Sequence, residues 1–246
     1  MDTATIPQQS SRATTGPIIV GLDQSSTATD AVVLGQALAE ALGSELVPAR
    51  SAAKGLRALA EQEGASAIVI GSASASTLGG LVAGSTIPVA VAPAGYSETT
   101  DPRIAAIGVG FDGSETSRAA LRWASAVARA ADATLRIIGV HEPVPVDRFT
   151  LTKALASPPF SAVVREQQEK RLTIGAAEVG DGIAVEPQLR DGTAADVLVD
   201  ASQTLDLVVL GTRGLGRIRG TILGSVSDAV VRAAHSPVVV IPSAAA

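Results

Sequence analysis

The chain contains no cysteine, which removes disulfides and thiolate metal sites together. Its two histidines, His141 and His235, are too few for a histidine-rich metal centre, and no metal-binding residues are expected. Acidic residues outnumber basic ones, 24 to 19, so no broad positive face exists for nucleic acid. No apolar run approaches the roughly 20 residues of a membrane helix. The start, "MDTATIPQQSSRATTG", is polar; residues 1–16 are expected to be a disordered tail, neither signal peptide nor anchor. A cytoplasmic protein without membrane contact is expected. No G-x-x-x-x-G-K-[ST] occurs, which excludes a P-loop NTPase. Aromatic residues make up only 2% of a chain that is 46% hydrophobic and rich in Ala and Val. Small apolar residues suit helices packed closely on sheets.

What the chain does contain is itself, twice. "PIIVGLDQSS" (17–26) resembles "AIGVGFDGSE" (106–115), which sets Asp23 against Asp112 at an offset of 89. "SAIVIGSASAS" (66–76) resembles "DLVVLGTRGLG" (206–216), with Gly71 against Gly211 and Gly84-Ser85 against Gly224-Ser225, at an offset of 140. "IPVAVAP" (87–93) resembles "SPVVVIP" (236–242) at an offset of 149. Element order is preserved and the offset grows, so the first copy lacks about 51 residues in its middle and about 9 near its end. The expected organisation is a shortened domain over 17–98, a polar linker near "AGYSETTDPR" and a complete domain over 103–246.

In the second copy short apolar runs alternate with segments of helical period. The runs are nearly continuous, as in strands covered on both faces, which predicts an α/β fold with a doubly wound, Rossmann-like parallel sheet. In such sheets ligands sit beyond the carboxyl ends of the strands. Two of those ends carry chemistry here: "GFDGS", where Asp112 closes a strand, and "GTRGLGRIRGTILGSVSDAV" (211–230), which follows the run "LDLVVL". The second places Gly211, Gly214 and Gly224 in a Gly-x2-Gly-x9-Gly-Ser pattern with Arg213, Arg217 and Arg219 between them. Gly211 and Gly214 allow backbone amides to approach a phosphate. Gly224 turns the chain into a helix, Ser225 is placed to cap it, and Ser227 lies in its first turn. A helix start offers unpaired amides and a positive dipole to an anion.

"VGFDGSETS", "LGTRGLGRIRGTILGSVSDAV" and "SPVVVIP" resemble the universal stress proteins, and the Gly-x2-Gly-x9-Gly-Ser pattern resembles the ATP-binding signature of one branch of that family. The resemblance covers nearly all of the second copy and, degraded, the first. It implies a tandem member of the adenine-nucleotide alpha hydrolase-like fold, a regulatory protein of the stress response. It implies ATP with Mg, bound by Gly110 and Asp112 at the adenosine, the backbone of Val140 at the adenine, and Gly211, Arg213, Gly214, Gly224, Ser225, Val226 and Ser227 around ribose and phosphates. It also implies pairing of the two copies through their last strands, as an intramolecular pseudo-dimer or between chains as a homodimer.

The first copy departs from the pattern. Ser74 stands where a glycine is expected, no arginine lies between Gly71 and Gly84, the counterpart of Val140 is lost, and no helix is expected after Gly84-Ser85. It is expected to bind no ATP and to serve as a pairing scaffold. "GVGFDG" (108–113) also matches G-x-G-x-x-G, but its first glycines fall inside the expected strand, against an NAD site. Asp112 reads equally as a cap for the following turn. His141 reads as a rim residue, His235 as a surface residue at a helix end and Trp123 as core. Arg165, Glu166, Glu169, Lys170 and Arg171 read as the solvated face of a helix. The expected behaviour is nucleotide binding without efficient turnover, shifting the population towards a closed Arg-rich loop that presents a new surface to a protein partner. A slow ATPase, a ligand-free dimerisation scaffold, and AMP or a cyclic nucleotide as ligand are the alternatives.

Overall fold

A computed structural model of the chain describes residues 16–83, 85–99, 101–142, 160–212 and 223–243. The first part runs β1 (Ile18–Gly21), α1 (Ala28–Leu42), β2 (Leu46–Ala49), α2 (Ala53–Glu63), β3 (Ala67–Gly71), a 3-10 turn (Ser72–Thr77), α3 (Leu78–Val82) and β4 (Val89–Ala92). The second runs β5 (Ala106–Gly110), α4 (Glu115–Ala131), β6 (Thr134–His141), α5 (Phe160–Val179), β7 (Val185–Asp191), α6 (Ala194–Ala201), β8 (Leu207–Gly211), α7 (Ser225–Ala233) and β9 (Val238–Ile241). The described strands form one 9-stranded sheet in the order β2-β1-β3-β4-β9-β8-β5-β6-β7. Neighbours are parallel except β4 and β9, the last strands of each part, which pair antiparallel with Val89 against Val240 and Val91 against Val238. The carboxyl ends of β1–β4 therefore point away from those of β5–β9.

Alternation within each strand splits the core into two layers. Ile18, Val20, Ile107, Val109, Val209 and Val239 face one layer with Leu34, Trp123 and Leu172, under α1, α4 and α5. Ile19, Ile68, Val91, Val208, Leu210 and Val240 face the other, with Leu56, Leu81, Leu198 and Val230, under α2, α3, α6 and α7. Strands buried on both faces cannot be alternately polar, which is why they read as unbroken apolar runs. Each layer crosses the β4–β9 junction without a break, so the two parts share one core.

The sheet's edges are blunted by proline. The carbonyls of Glu45 and Ala49 accept from β1, which turns the polar groups of Leu46 and Pro48 outward. In β7 the carbonyl of Ala184 faces β6, which turns Val185, Pro187 and Leu189 outward. Each edge strand thus has a proline where an added strand would need an N–H. The connection between the two parts is pinned: the buried carboxylate of Asp30 in α1 accepts from Ser97 N at 2.7 Å and Gly95 N at 3.2 Å. Burial pushes the Asp30 pKa up, but these amide bonds outweigh it and hold the carboxyl below its ordinary value. Trp123 is buried, and its Nε1 has no partner among the described residues. None of the described helices is long and apolar enough to cross a membrane.

Candidate functional site at the strand ends

At the end of β5 the chain turns sharply into α4. Gly113 has φ +80°, the left-handed region that glycine tolerates. The Ser114 amide donates to Asp112 Oδ1 at 2.9 Å, and the Ser114 hydroxyl caps α4 by accepting from Ser117 N at 3.2 Å. The cap is thus Ser114; Asp112 holds the capping residue in place. The side chain of Arg171, from α5, lies along Gly113, 3.4 Å from where a Cβ would stand. Gly110 closes β5 against Leu210, whose Cδ2 would be 2.6 Å from an added Cβ.

β8 runs parallel to β5 and ends at Gly211. A Cβ on Gly211 would lie 2.8 Å from Thr116 Cβ and 2.9 Å from the Thr116 carbonyl carbon. Glycine at 211 is therefore required by the start of α4 pressing on the strand end, whatever else binds there. The buried Thr212 carries the far side of the junction: its carbonyl accepts from Gly224 N at 2.7 Å and its Oγ1 from Ser243 N at 3.1 Å. Gly224 in this way becomes the N-cap of α7, in extended conformation and with no side-chain cap bond. Ser225 does not cap the helix, contrary to the sequence expectation. It is the first helical residue, exposed, because the Gly224 carbonyl already accepts the first intrahelical bond, from the Asp228 amide at 2.9 Å. Ser227 is buried and its hydroxyl donates to the Gly211 carbonyl at 2.7 Å, so it ties α7 to β8. The amides of Ser225, Val226 and Ser227 lie in the first turn, where no intrahelical acceptor exists. Arg213 and Gly214, like Arg217, Arg219 and Gly84, lie outside the described residues.

Val140 sits near the end of β6, paired with Arg190, and packs on the α6–α7 layer. His141, next along, points to the opposite face and is buried. Its Nδ1 lies 3.0 Å from Asp191 Oδ1, and Arg165 Nη1 reaches the same oxygen at 2.7 Å. A carboxylate only accepts, so the bond fixes a proton on Nδ1. The Arg165 hydrogen bond first, and then that of His141, hold the Asp191 carboxyl below its ordinary value. Sequence reasoning missed this cluster, having assigned Arg165 to a solvated face. Glu166, Glu169 and Lys170 are exposed, while Arg165 and Arg171 are half-buried and turned to the strand ends. The available signal was spacing: Arg165 stands two helical turns before the core residue Leu172.

The same bonds recur in the first part. The Ser25 amide donates to Asp23 Oδ1 at 2.9 Å, and Ser25 Oγ lies 3.3 Å from Thr27 Oγ1, as Ser114 Oγ lies 3.2 Å from Thr116 Oγ1. A Cβ on Gly71 would meet Thr27 Oγ1 at 2.2 Å, as one on Gly211 would meet Thr116. The strand ends then diverge. The Ser74 hydroxyl donates to Asp23 Oδ2, and the Ala73 amide donates to Thr27 Oγ1 at 3.1 Å. Hydrogen bonds from Ser25, then Ser74, lower the Asp23 pKa. Ser85 accepts from Ile87 N at 3.0 Å and leads directly to β4 with no helix between them.

Fold and strand ends together define a doubly wound α/β protein with glycines closing β1, β3, β5 and β8 at their carboxyl ends. The universal stress protein family model matches residues 104–242. Universal stress proteins of Mycolicibacterium smegmatis and Mycobacterium tuberculosis are 36% and 32% identical over 143 and 148 residues, in each case 54% of this chain and 46% and 47% of theirs. One from Mycobacterium bovis is 34% identical over 177 residues, 70% of this chain and 56% of its own length. The chain belongs to the universal stress protein family. It spans about half the length of the mycobacterial relatives it matches. Among solved structures, a universal stress protein from Archaeoglobus fulgidus shares the fold at TM-score 0.58 and 17% identity, over 94% of this chain and 98% of that one. A functionally unknown protein from Pseudomonas aeruginosa does so at TM-score 0.60 and 17% identity, over 95% and 94%.

Proposed function

We propose that the chain is a nucleotide-responsive regulatory module: residues 103–246 bind ATP with Mg at the strand ends, and residues 17–98 are a shortened copy that pairs with them and binds none. One observation carries the reading, the asymmetry between two strand-end turns built on the same bonds. In the second, α7 starts beside the ends of β5 and β8 and offers the amides of Ser225, Val226 and Ser227 to an anion. In the first, Ser74 occupies the carboxylate of Asp23, the turn amide of Ala73 is spent on Thr27, and no helix follows Ser85. The 70% share matched in the Mycobacterium bovis relative is too large to fit within residues 104–246, which supports reading 17–98 as a related copy.

Gly110, Asp112 and Val140 would border adenosine, and Gly211, Arg213, Gly214, Gly224, Ser225, Val226 and Ser227 the ribose and phosphates. Among the described residues no group of three His, Cys, Asp or Glu could hold a metal. Mg fits all the same, because with a nucleotide it is held largely by phosphates and water. The role is binding without efficient turnover, with the bound state presenting a changed surface to a protein partner. Titration with Mg-ATP, AMP and a cyclic nucleotide, alongside a phosphate-release assay, tests it. Mg-ATP binding that is lost in Gly214→Glu, without release above background, is expected. Equal behaviour of the wild type and Gly214→Glu would leave a ligand-free pairing scaffold.

A further inference from the structure

The helix that opens on the candidate phosphate site ends on the other half of the molecule. α7 has 9 residues, too few to hold its own position, so packing must place it. Its amino end is fixed by Gly224 N to the Thr212 carbonyl and by the Ser227 hydroxyl to the Gly211 carbonyl. Because β9 is antiparallel to β4, with Val238 opposite Val91, the start of β9 lies level with the ends of β3 and β4. α7 runs back towards that level and packs against the 3-10 turn Ser72–Thr77. Ala75 of that turn and Val226 and Leu223 at the other end of α7 lie on one apolar layer. At an offset of 140, Ser72–Thr77 is the stretch that corresponds to residues 212–217.

That turn is locked by hydroxyls. The Ala73 amide donates to the buried Thr27 Oγ1 at 3.1 Å, the Ser74 hydroxyl donates to Asp23, and the Thr77 hydroxyl donates to the Ser74 carbonyl at 2.7 Å. Thr27 is the N-cap residue of α1 but makes no side-chain cap bond. Its hydroxyl is left for the turn, with Ser25 Oγ the other neighbour at 3.3 Å.

We infer that Thr27 is a positioning residue for the nucleotide site of the other half: by locking Ser72–Thr77 it gives α7 a fixed seat, and so sets where the first-turn amides of α7 meet a phosphate. The inference rests on the nucleotide reading above for its ligand, but its mechanical part does not. Two packed elements with a shared contact can carry a coupling free energy, and that coupling must act in both directions.

The test uses the full chain, with Mg-ATP calorimetry and amide hydrogen exchange read by mass spectrometry. Thr27→Val keeps the shape and removes the acceptor; Thr27→Ser keeps the acceptor. Ser74→Ala loosens the turn at a half-exposed position that cannot unfold the core. Thr27→Val is expected to weaken Mg-ATP binding about two- to fivefold, the worth of part of one hydrogen bond, and Ser74→Ala in the same direction. Thr27→Ser is expected to bind as the wild type. Without nucleotide, Thr27→Val speeds exchange in α7 and leaves β8 and β9 unchanged; in the wild type, Mg-ATP slows exchange at Ala73. Wild-type affinity in Thr27→Val together with unchanged α7 exchange would overturn the inference. Absence of Mg-ATP binding in the wild type would overturn the nucleotide reading, and the ligand-free exchange of α7 would then decide the mechanical coupling alone.

Discussion

Replacing the glycine at the end of β8 by alanine tests whether packing or ligand requires it. In Gly211→Ala the new methyl would stand 2.8 Å from Thr116 Cβ and 2.9 Å from the Thr116 carbonyl carbon. Non-bonded carbons settle at about 3.5–4.0 Å, so the shortfall is about 0.7 Å. One of the two obstacles is backbone in the first turn of α4, so relief requires α4 to shift off the strand. Overpacking of this kind costs about 1–3 kcal/mol. For a chain of this size each kcal/mol moves Tm by about 2–4 °C. Gly110→Ala makes a closer approach, 2.6 Å, but to Leu210 Cδ2, the free end of a flexible side chain. It should cost less. Gly71→Ala meets both the hydroxyl and the carbonyl oxygen of Thr27, at 2.2 and 2.4 Å, and should cost most. Thermal unfolding followed by circular dichroism, without nucleotide, gives the order Gly71→Ala, then Gly211→Ala, then Gly110→Ala. If Gly211→Ala melts with the wild type, or below it by less than Gly110→Ala does, the packing argument fails.

Three further outcomes follow from single contacts. Ser114→Ala removes a side-chain cap and should cost about 1 kcal/mol, whereas Ser225→Ala, beyond a glycine N-cap, should leave Tm unchanged; equal effects would restore Ser225 as the cap. Asp30 has its pKa depressed in the folded state, so its contribution is present above the unfolded value of about 3.9 and is lost as pH falls through the folded one. Asp30→Ala should cost about 1–3 kcal/mol at neutral pH and flatten the acid limb of stability against pH; an unchanged limb would refute this. The single tyrosine, Tyr96, has its phenol pushed up to about 12 by burial and by the nearby Asp206. A raised folded pKa contributes stability below the unfolded value and loses it as pH rises through the folded one. An ultraviolet titration should show ionisation near 12 in the folded chain and near the ordinary value, about 10, in denaturant.

The parts of the fold that depend on local pattern could be read in advance. Strands such as Leu207–Gly211 and Val238–Ile241 are apolar at every position because both faces are covered, and their alternation with helical segments pointed to the doubly wound sheet. Details set by distant partners could not be read. Gly224 displaces Ser225 as the cap because its carbonyl takes the first intrahelical bond, from the Asp228 amide, while its own amide is held by the Thr212 carbonyl. Arg165 leaves the solvated face because Asp191, at the end of the next element, β7, offers it a carboxylate beside a buried histidine. Gly211 reads as phosphate chemistry in sequence, and the structure adds a steric reason that only the approach of α4 reveals. Composition marked the polar linker, but not that Asp30 on α1 holds it by two amides.

The central claim is a live crevice in residues 103–246 and a closed one in residues 17–98. Calorimetric stoichiometry of Mg-ATP on the full chain tests it most directly. One site per chain, abolished by Gly214→Glu, is the predicted result. Two sites per chain would contradict the closed N-terminal crevice, and no binding at millimolar nucleotide would contradict the account as a whole.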